Sequence, residues 1–545
     1  KTTMNKRILV ITITLAMLLS ISIVTIGTAG PIRGGELTML HSASPDNLDP
    51  IHSTLFATFF VISLVLDELV ALDQNLEPVP HLAKSWEVSE DGLTWTFHLR
   101  RGGRFHDGTP LNAEAVAFSL NRFRTKGRMG GLILGPMEEA IVVDEYTVEL
   151  RLKEIAPLLL YMLSKDWTGI VSPTAVEKYG ADFGMKALVG TGPFKFYKFI
   201  PGDRVELVRN EEYTWGPSYV TNRGPAWLER ITFRIIPEAA TRVMEFEVGT
   251  GMLMRGIPVI DVPRFRADPR IQIAETSAAG VEYVALNTAR WPFDDVRIRQ
   301  AFIHAIDVEP LIEFLFEGVA ERAYSITAPI QVGFWEGIRE FAAPFLRHDP
   351  DRARELFTEA GWFPGPDGIL VHRETGRRAE FEWWRTNVLT ASFDATEMMM
   401  VQLREVGIEI SLLPMVIGTL VARRGEGVHD LFQLAYGWPY ACGALFFFYH
   451  SDNIGAMNAN HFASAKMDAL IETARTALDP EVRKEAIAEA KRYAIEMALM
   501  APLWRTLIFY AATADVGGFD LKAAQERPYG GWSRNALALD LYIRR

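Results

Sequence analysis

Apolar and polar residues alternate along this chain with two periods, and the switches between them divide it into short strands and helices that follow one another from end to end. The segment Leu93–Leu99 places Trp95, Phe97 and Leu99 on one face and Thr94, Thr96 and His98 on the other, after the turn signal Asp91-Gly92. This predicts a strand with one packed side. Beyond the turn residues His106-Asp107-Gly108-Thr109-Pro110, Asn112 is placed to cap a helix carrying Val116, Phe118, Leu120 and Phe123.

Further strands are predicted over 36–40, 146–152, 228–236, 281–287, 381–384, 408–412, 431–435 and 503–512, with a glycine-punctuated pair over 189–208. Helices are predicted over 52–70, 238–248, 296–316 with a break at Pro310, 351–360 stopped by Gly361, 393–405, 463–478 and 480–500. Strands alternating with helices predict α/β bodies. No internal repeat or low-complexity linker separates them.

Composition adds limits. With 545 residues, 49% of them hydrophobic, the chain has material for more than one core. A net charge of −12 argues against generic nucleic-acid binding, which needs a cationic surface to neutralise phosphates. Lys6 and Arg7, the apolar run Ile8–Ile26 and the small residues Gly27-Thr28-Ala29 have the layout of a secretory signal peptide over residues 1–29, cut after Ala29. An uncleaved anchor is the rival reading of that run, and either arrangement faces the rest of the chain outward. Cys442 is alone, so no intrachain disulfide forms, and no cysteine stands at the cleavage region to carry a lipid. A soluble periplasmic protein, monomeric, is the expectation.

The motifs carry a resemblance. Pro80-His81-Leu82-Ala83-Lys84-Ser85-Trp86, Asp91 to Arg100, Phe105-His106-Asp107-Gly108-Thr109-Pro110 and Ala113-Glu114-Ala115-Val116 resemble the signature of the family 5 extracellular solute-binding proteins. Gly190-Thr191-Gly192-Pro193-Phe194, Asn210 to Trp215, Tyr283 to Asn287 and Val296 to Ala301 continue it in order over nearly all of the exported chain. The resemblance implies an α/β type II periplasmic binding protein fold with two ligand-gripping lobes and an extra inserted α+β lobe. Mapped here, lobe one comprises 30–74, 188–284 and 508–545, the inserted lobe 75–187, and the opposing ligand-binding lobe 285–507. It also implies the substrate-binding role in an ABC importer, with permease transmembrane subunits as partners and no catalysis.

Three departures stand out. Ala115 replaces an acidic residue common in the first motif, and Thr250-Gly251-Met252 replaces a small-plus-Asp ending. The loop Tyr436 to Gly443 lacks the Asp that meets a peptide amino terminus in peptide-binding relatives, and no carboxylate follows until Asp452.

A receptor that closes over a solute replaces its hydration with directed hydrogen bonds and buries its apolar faces. Trp438 and Tyr440, flanking Pro439 between Gly437 and Gly443, are the leading ligand candidates because rigid rings stack at little entropic cost. Trp383, Trp384 and Arg385 offer a second platform and a positive charge, although adjacent strand residues face opposite ways, so that one Trp at most reaches a given pocket. Ser44 and Asn47 offer neutral hydrogen-bonding groups at a strand exit, and Asn287 stands near the expected crossover. Core packing is the competing role for every one of these aromatics, and Phe446 to Tyr449 read as a packed segment.

No His-Glu-x-x-His, Gly-x-Ser-x-Gly or Cys-x-x-Cys occurs, and Gly190-Thr191-Gly192 lacks the Gly-Lys-Ser/Thr that cradles phosphate. No cofactor or metal site is predicted. The expected function is capture of an oligopeptide-like or other amphipathic organic solute between two lobes. The alternatives are an oligosaccharide, opine or glycoconjugate receptor of the same importer class, a secreted hydrolase with a dispersed triad, and a periplasmic chaperone.

Overall fold

A computed structural model describes residues 31–545 apart from 54, 74–76, 219, 278–279, 318, 330, 387–390, 439, 520–534 and 545. The expected export segment, 1–29, lies outside the described residues, and no helix among them is long and apolar enough to cross a membrane.

A 12-stranded sheet runs through the molecule. One end is built from Glu36–His41, parallel to Arg230–Ile235 on one side and to Leu253–Arg255 on the other, with the hairpin Phe194–Ile200 and Arg204–Arg209 closing the edge. The other end is built from the parallel strands Glu409–Met415, Glu380–Thr386 and Leu431–Tyr436, with Val281–Leu286 antiparallel beside the last. Both groups have the parallel, helix-covered arrangement that strand–helix alternation predicts.

The two groups are joined by strands that belong to both. Met500–Thr513 pairs with Val281–Leu286 and Ala320–Arg322 through its first half, and with Ile271–Ser277 and Leu253–Arg255 through its second. Between the halves burial lapses at Arg505–Ile508. The chain makes a second crossing close by, passing from Ile271–Ser277 straight into Val281–Leu286. Two adjacent crossings form a hinge, because a small backbone rotation there moves whole lobes at low cost.

A separate antiparallel sheet orders Ala83–Val88, Thr94–Leu99, Thr147–Leu152 and Met137–Asp144. Helix Ala113–Lys126 packs across it through Val116, Leu120 and Phe123, and Asn112 Oδ1 caps it by accepting from Ala115 N at 3.0 Å. Motif residues fix the turn Gly190-Thr191-Gly192 against this body on one side and against Asp67 on the other. Asp67 accepts from Thr191 Oγ1 at 2.8 Å and Trp215 Nε1 at 2.9 Å, and His106 Nε2 meets Gly192 O at 2.9 Å. A Cβ at Gly190 would lie 2.2 Å from Val65 O, so the Gly-Thr-Gly turn is a backbone packing device.

That turn also explains a difference. The helix expected over 52–70 is confined to Phe56–Ile62, because Leu64 and Val65 spend their carbonyls on Phe194 N and Gly192 N instead of on a continuing helix. The interruption at Pro310 is real: Val296–His304 and Glu309–Phe316 are separate helices, with Pro310 in the first turn of the second.

Candidate functional site

In open α/β sheets ligands bind outside the carboxyl ends of the parallel strands. Here those ends carry Arg385–Thr386 and Tyr436, and the antiparallel Val281–Leu286 brings Glu282 to the same edge, beside the hinge. On one face of the sheet Glu282 accepts from Gln433 Nε2 at 2.8 Å and Ser392 Oγ at 3.0 Å. Arg385 donates to Ser392 O at 2.8 Å and to Thr396 Oγ1, and Thr396 in turn donates to Gln433 Oε1 at 2.9 Å. Burial raises the Glu282 carboxyl above its usual range, against the pull of Gln433, Ser392 and Arg385. Burial likewise lowers the Arg385 guanidinium, and Glu282 opposes that shift.

On the opposite face Tyr283 and Tyr436 each pack on Phe448 with ring centroids 5.5 Å away. Both tyrosines lie within electrostatic reach of Arg424, which is 5% exposed and donates to Ala456 O and to Met457 Sδ. Arg424 forms no ion pair with any described residue. Burial lowers its pKa, and burial raises those of Tyr283 and Tyr436. The Tyr283 hydroxyl is buried without a hydrogen-bond partner. A buried cation flanked by two phenols, one of them unsatisfied, is suited to an anionic oxygen.

The strand Leu431–Tyr436 leads into the aromatic loop. Trp438 lies edge-on to Tyr440, with centroids 6.0 Å apart, and to Phe447 at 4.5 Å. Its carbonyl accepts from Gln331 Nε2, and Ala441 N donates to Val332 O at 2.8 Å, so the segment 331–332 fixes the loop. Gly443 is required by close approach: a Cβ there would lie 2.4 Å from the Trp438 indole and 2.5 Å from the Tyr440 ring. Beside this loop is a cavity of about 310 Å³, walled by Tyr440, Cys442 and Phe447 on one side and by Ile155, Leu158 and Met162 on the other. Burial pushes the Cys442 thiol up to about 12, so it behaves as an apolar wall and not as a nucleophile.

The sequence candidates separate into groups. Trp438 and Tyr440 stand together, and Tyr440 faces the cavity. Arg385 belongs to the polar network at the strand ends. Trp384 is buried on the opposite face, under the Arg423 guanidinium at 4.3 Å, with its indole N–H donating to Glu382 at 3.1 Å. Trp383 faces away from it into the core, edge-on to Phe302 at 5.9 Å. Asn287 corrects its expected place: it lies at the far end of Val281–Leu286 from Glu282, and its amide donates to Gly427 O and His429 O, leaving no donor for a solute. Ser44 bonds within its turn and accepts from Gly202 N, and Asn47 accepts from Asp49 N; both are spent on local loop structure. Glu282, Gln433 and Arg424 were not picked out by the sequence. Charged or amide residues inside the otherwise apolar runs Val281–Leu286 and Leu431–Tyr436 were the signal for the first two.

Residues 77–456, more than half of the chain, match the description "Bacterial extracellular solute-binding proteins, family 5 Middle". The chain belongs to this family. This family 5 member is 28% identical over 471 residues to heme-binding protein A of Haemophilus influenzae, covering 81% of each chain. It is also 28% identical over 422 residues to the nickel-binding periplasmic protein of Escherichia coli, covering 74% of this chain and 78% of that one. Among solved structures, NikA from Brucella suis in complex with Fe(III)-EDTA superposes with a TM-score of 0.78 at 24% identity, covering 94% of this chain and 100% of that one. The fold is thus the type II periplasmic binding protein fold, and the protein is a solute-binding protein rather than an enzyme. It is the extracytoplasmic substrate-binding component of an ABC importer for peptide-like or small solutes, and its partners are the importer's permease subunits.

Proposed function

We propose that this protein captures an amphipathic organic solute of the oligopeptide-like kind, with its anionic end at Arg424. The observation that carries this reading is the buried Arg424, which has no ion-pair partner among the described residues and is flanked by Tyr283 and Tyr436. A buried cation without a counter-charge is costly, and an anionic ligand group relieves that cost on closure. Trp438 and Tyr440 supply the apolar wall, and Arg385 with Glu282 the polar edge. Closure turns about the paired crossings at 277–281 and 505–508 and shifts the population toward a form the permease recognises. In this reading 30–74, 188–284 and 508–545 form lobe one, 75–187 the inserted lobe and 285–507 the opposing lobe. Residues 1–29 are removed on export and the mature protein is a soluble periplasmic monomer.

A second reading is an opine, glycoconjugate or oligosaccharide. It is favoured by the loop 436–443, which carries no carboxylate for a free amine, while Asp452 is 79% exposed. Native mass spectrometry of gently purified protein, with identification of the released solute, separates the two. Arg424→Gln should then weaken that solute by about 1.5–3 kcal/mol with folding retained. Unchanged affinity removes Arg424 from the site.

A further inference from the structure

The cavity beside the aromatic loop lies between two bodies that the lobe scheme keeps apart. Tyr440, Cys442 and Phe447 come from the opposing side, and Ile155, Leu158 and Met162 follow directly on the four-stranded sheet. At its rim Arg475 is 3.6 Å from Glu154 across the gap, donates to Glu472 at 2.6 Å, and lies over the Phe446 ring at 4.0 Å. The Arg475 guanidinium at the rim is thus shared between two carboxylates and is not free to pair with an occupant. An apolar cavity of roughly 150 Å³ takes benzene; at about 310 Å³ this one is large enough for a bicyclic aromatic ring or a branched aliphatic group. Tyr440, which lines the cavity, also packs edge-on against Trp438 of the aromatic loop.

We propose that this cavity is a subsite for an uncharged aromatic or aliphatic part of the solute, making the inserted lobe a third wall of the binding site. This rests on the receptor reading above and deepens it. The Glu154–Arg475 pair is one contact between the third wall and the opposing lobe. Solute size and apolarity are then selected partly by residues 131–162, outside the two gripping lobes.

Gly131 lines the cavity, and a Cβ there meets no atom within 4 Å, so a side chain can start from this position without a clash at Cβ. The test uses indole as probe on the full exported protein, titrated by calorimetry, with Gly131→Phe and Ile155→Trp as filling variants from two positions and Gly131→Ala as the control that leaves the space open. Saturable binding of one indole to the wild type and to Gly131→Ala, weakened by at least about tenfold in the filling variants, is the expected result. No saturable binding, or equal binding in both filling variants with thermal unfolding unchanged, overturns the subsite. A natural solute bound equally by wild type and filling variants also overturns it and leaves the receptor standing. Failure of the receptor reading has a different signature: no solute recovered and no import defect on deletion, with the indole titration still deciding the cavity.

Discussion

Replacing Lys491 with methionine removes a charge from one of the least hydrated places in the molecule. Lys491 is 1% exposed in helix Pro480–Glu496, its Nζ has no hydrogen-bond partner, and it lies 5.0 Å from the centre of the Phe334 ring. Burial pushes the amine down from 10.5 to about 7, against the opposing influence of Cys442 and Glu336. At ~1.36 kcal/mol per pH unit the gap corresponds to about 5 kcal/mol at most, which relaxation and water penetration reduce to about 2–4 kcal/mol. Between pH 7 and 10.5 the unfolded chain holds a proton on this amine that the folded protein does not. Stability therefore rises with pH across that window, and below pH 7 the whole penalty is present. Lys491→Met keeps the side-chain length and the helix propensity. It should be more stable than the wild type at pH 7, with the difference shrinking as pH approaches 10.5. Urea unfolding followed by tryptophan fluorescence at both ends of the window measures this. A variant no more stable at pH 7, or a difference constant with pH, refutes the reasoning.

Three other predictions follow from buried groups. Burial lowers the pKa values of His41, His106 and His429 from 6.5 to about 4, so the unfolded state takes up protons first and stability falls as pH drops below 6.5; a denaturation profile flat between pH 6.5 and about 5 contradicts this. Gly443→Val places carbon against the Trp438 and Tyr440 rings and should cost about 1–3 kcal/mol with a shifted tryptophan emission spectrum; an unchanged spectrum and stability contradict the packing. Asp67→Asn weakens the acceptor of Thr191 and Trp215 and should lower stability by about 1–3 kcal/mol in a thermal melt, whereas an unchanged melt shows these two bonds to be dispensable.

Much of the architecture was readable from local chemistry. The strand Thr94–Leu99 alternates in burial as its sequence alternates in polarity, and Asn112, Glu238, Ser464 and Asp479 cap the helices that follow them. The failure at 52–70 has a non-local cause: its carbonyls are taken by residues about 130 positions later in the chain, which no window around the segment contains. The site was less legible for the same reason. Trp383 and Asn287 looked chemically equipped, yet one is packed into the core and the other has its hydrogen bonds spent on Gly427 and His429. Arg424 sits in a run, Arg423-Arg424-Gly425-Glu426, that reads as solvated surface, and its buried setting comes from distant residues, Tyr283, Tyr436, Ala456 and Met457.

In the proposed capture cycle two bodies hinge about adjacent strand crossings to enclose a solute. Tyr197 and Val401 are exposed on opposite sides of that hinge, 58% and 62% respectively, and Cys442 is buried, so Tyr197→Cys with Val401→Cys carries a spin-label pair. Pulsed electron paramagnetic resonance on protein stripped of solute and then refilled with its own recovered compound reads the separation directly. The expected result is a distance distribution that moves to a second, narrower peak on refilling. One distribution that stays the same with and without bound solute contradicts it.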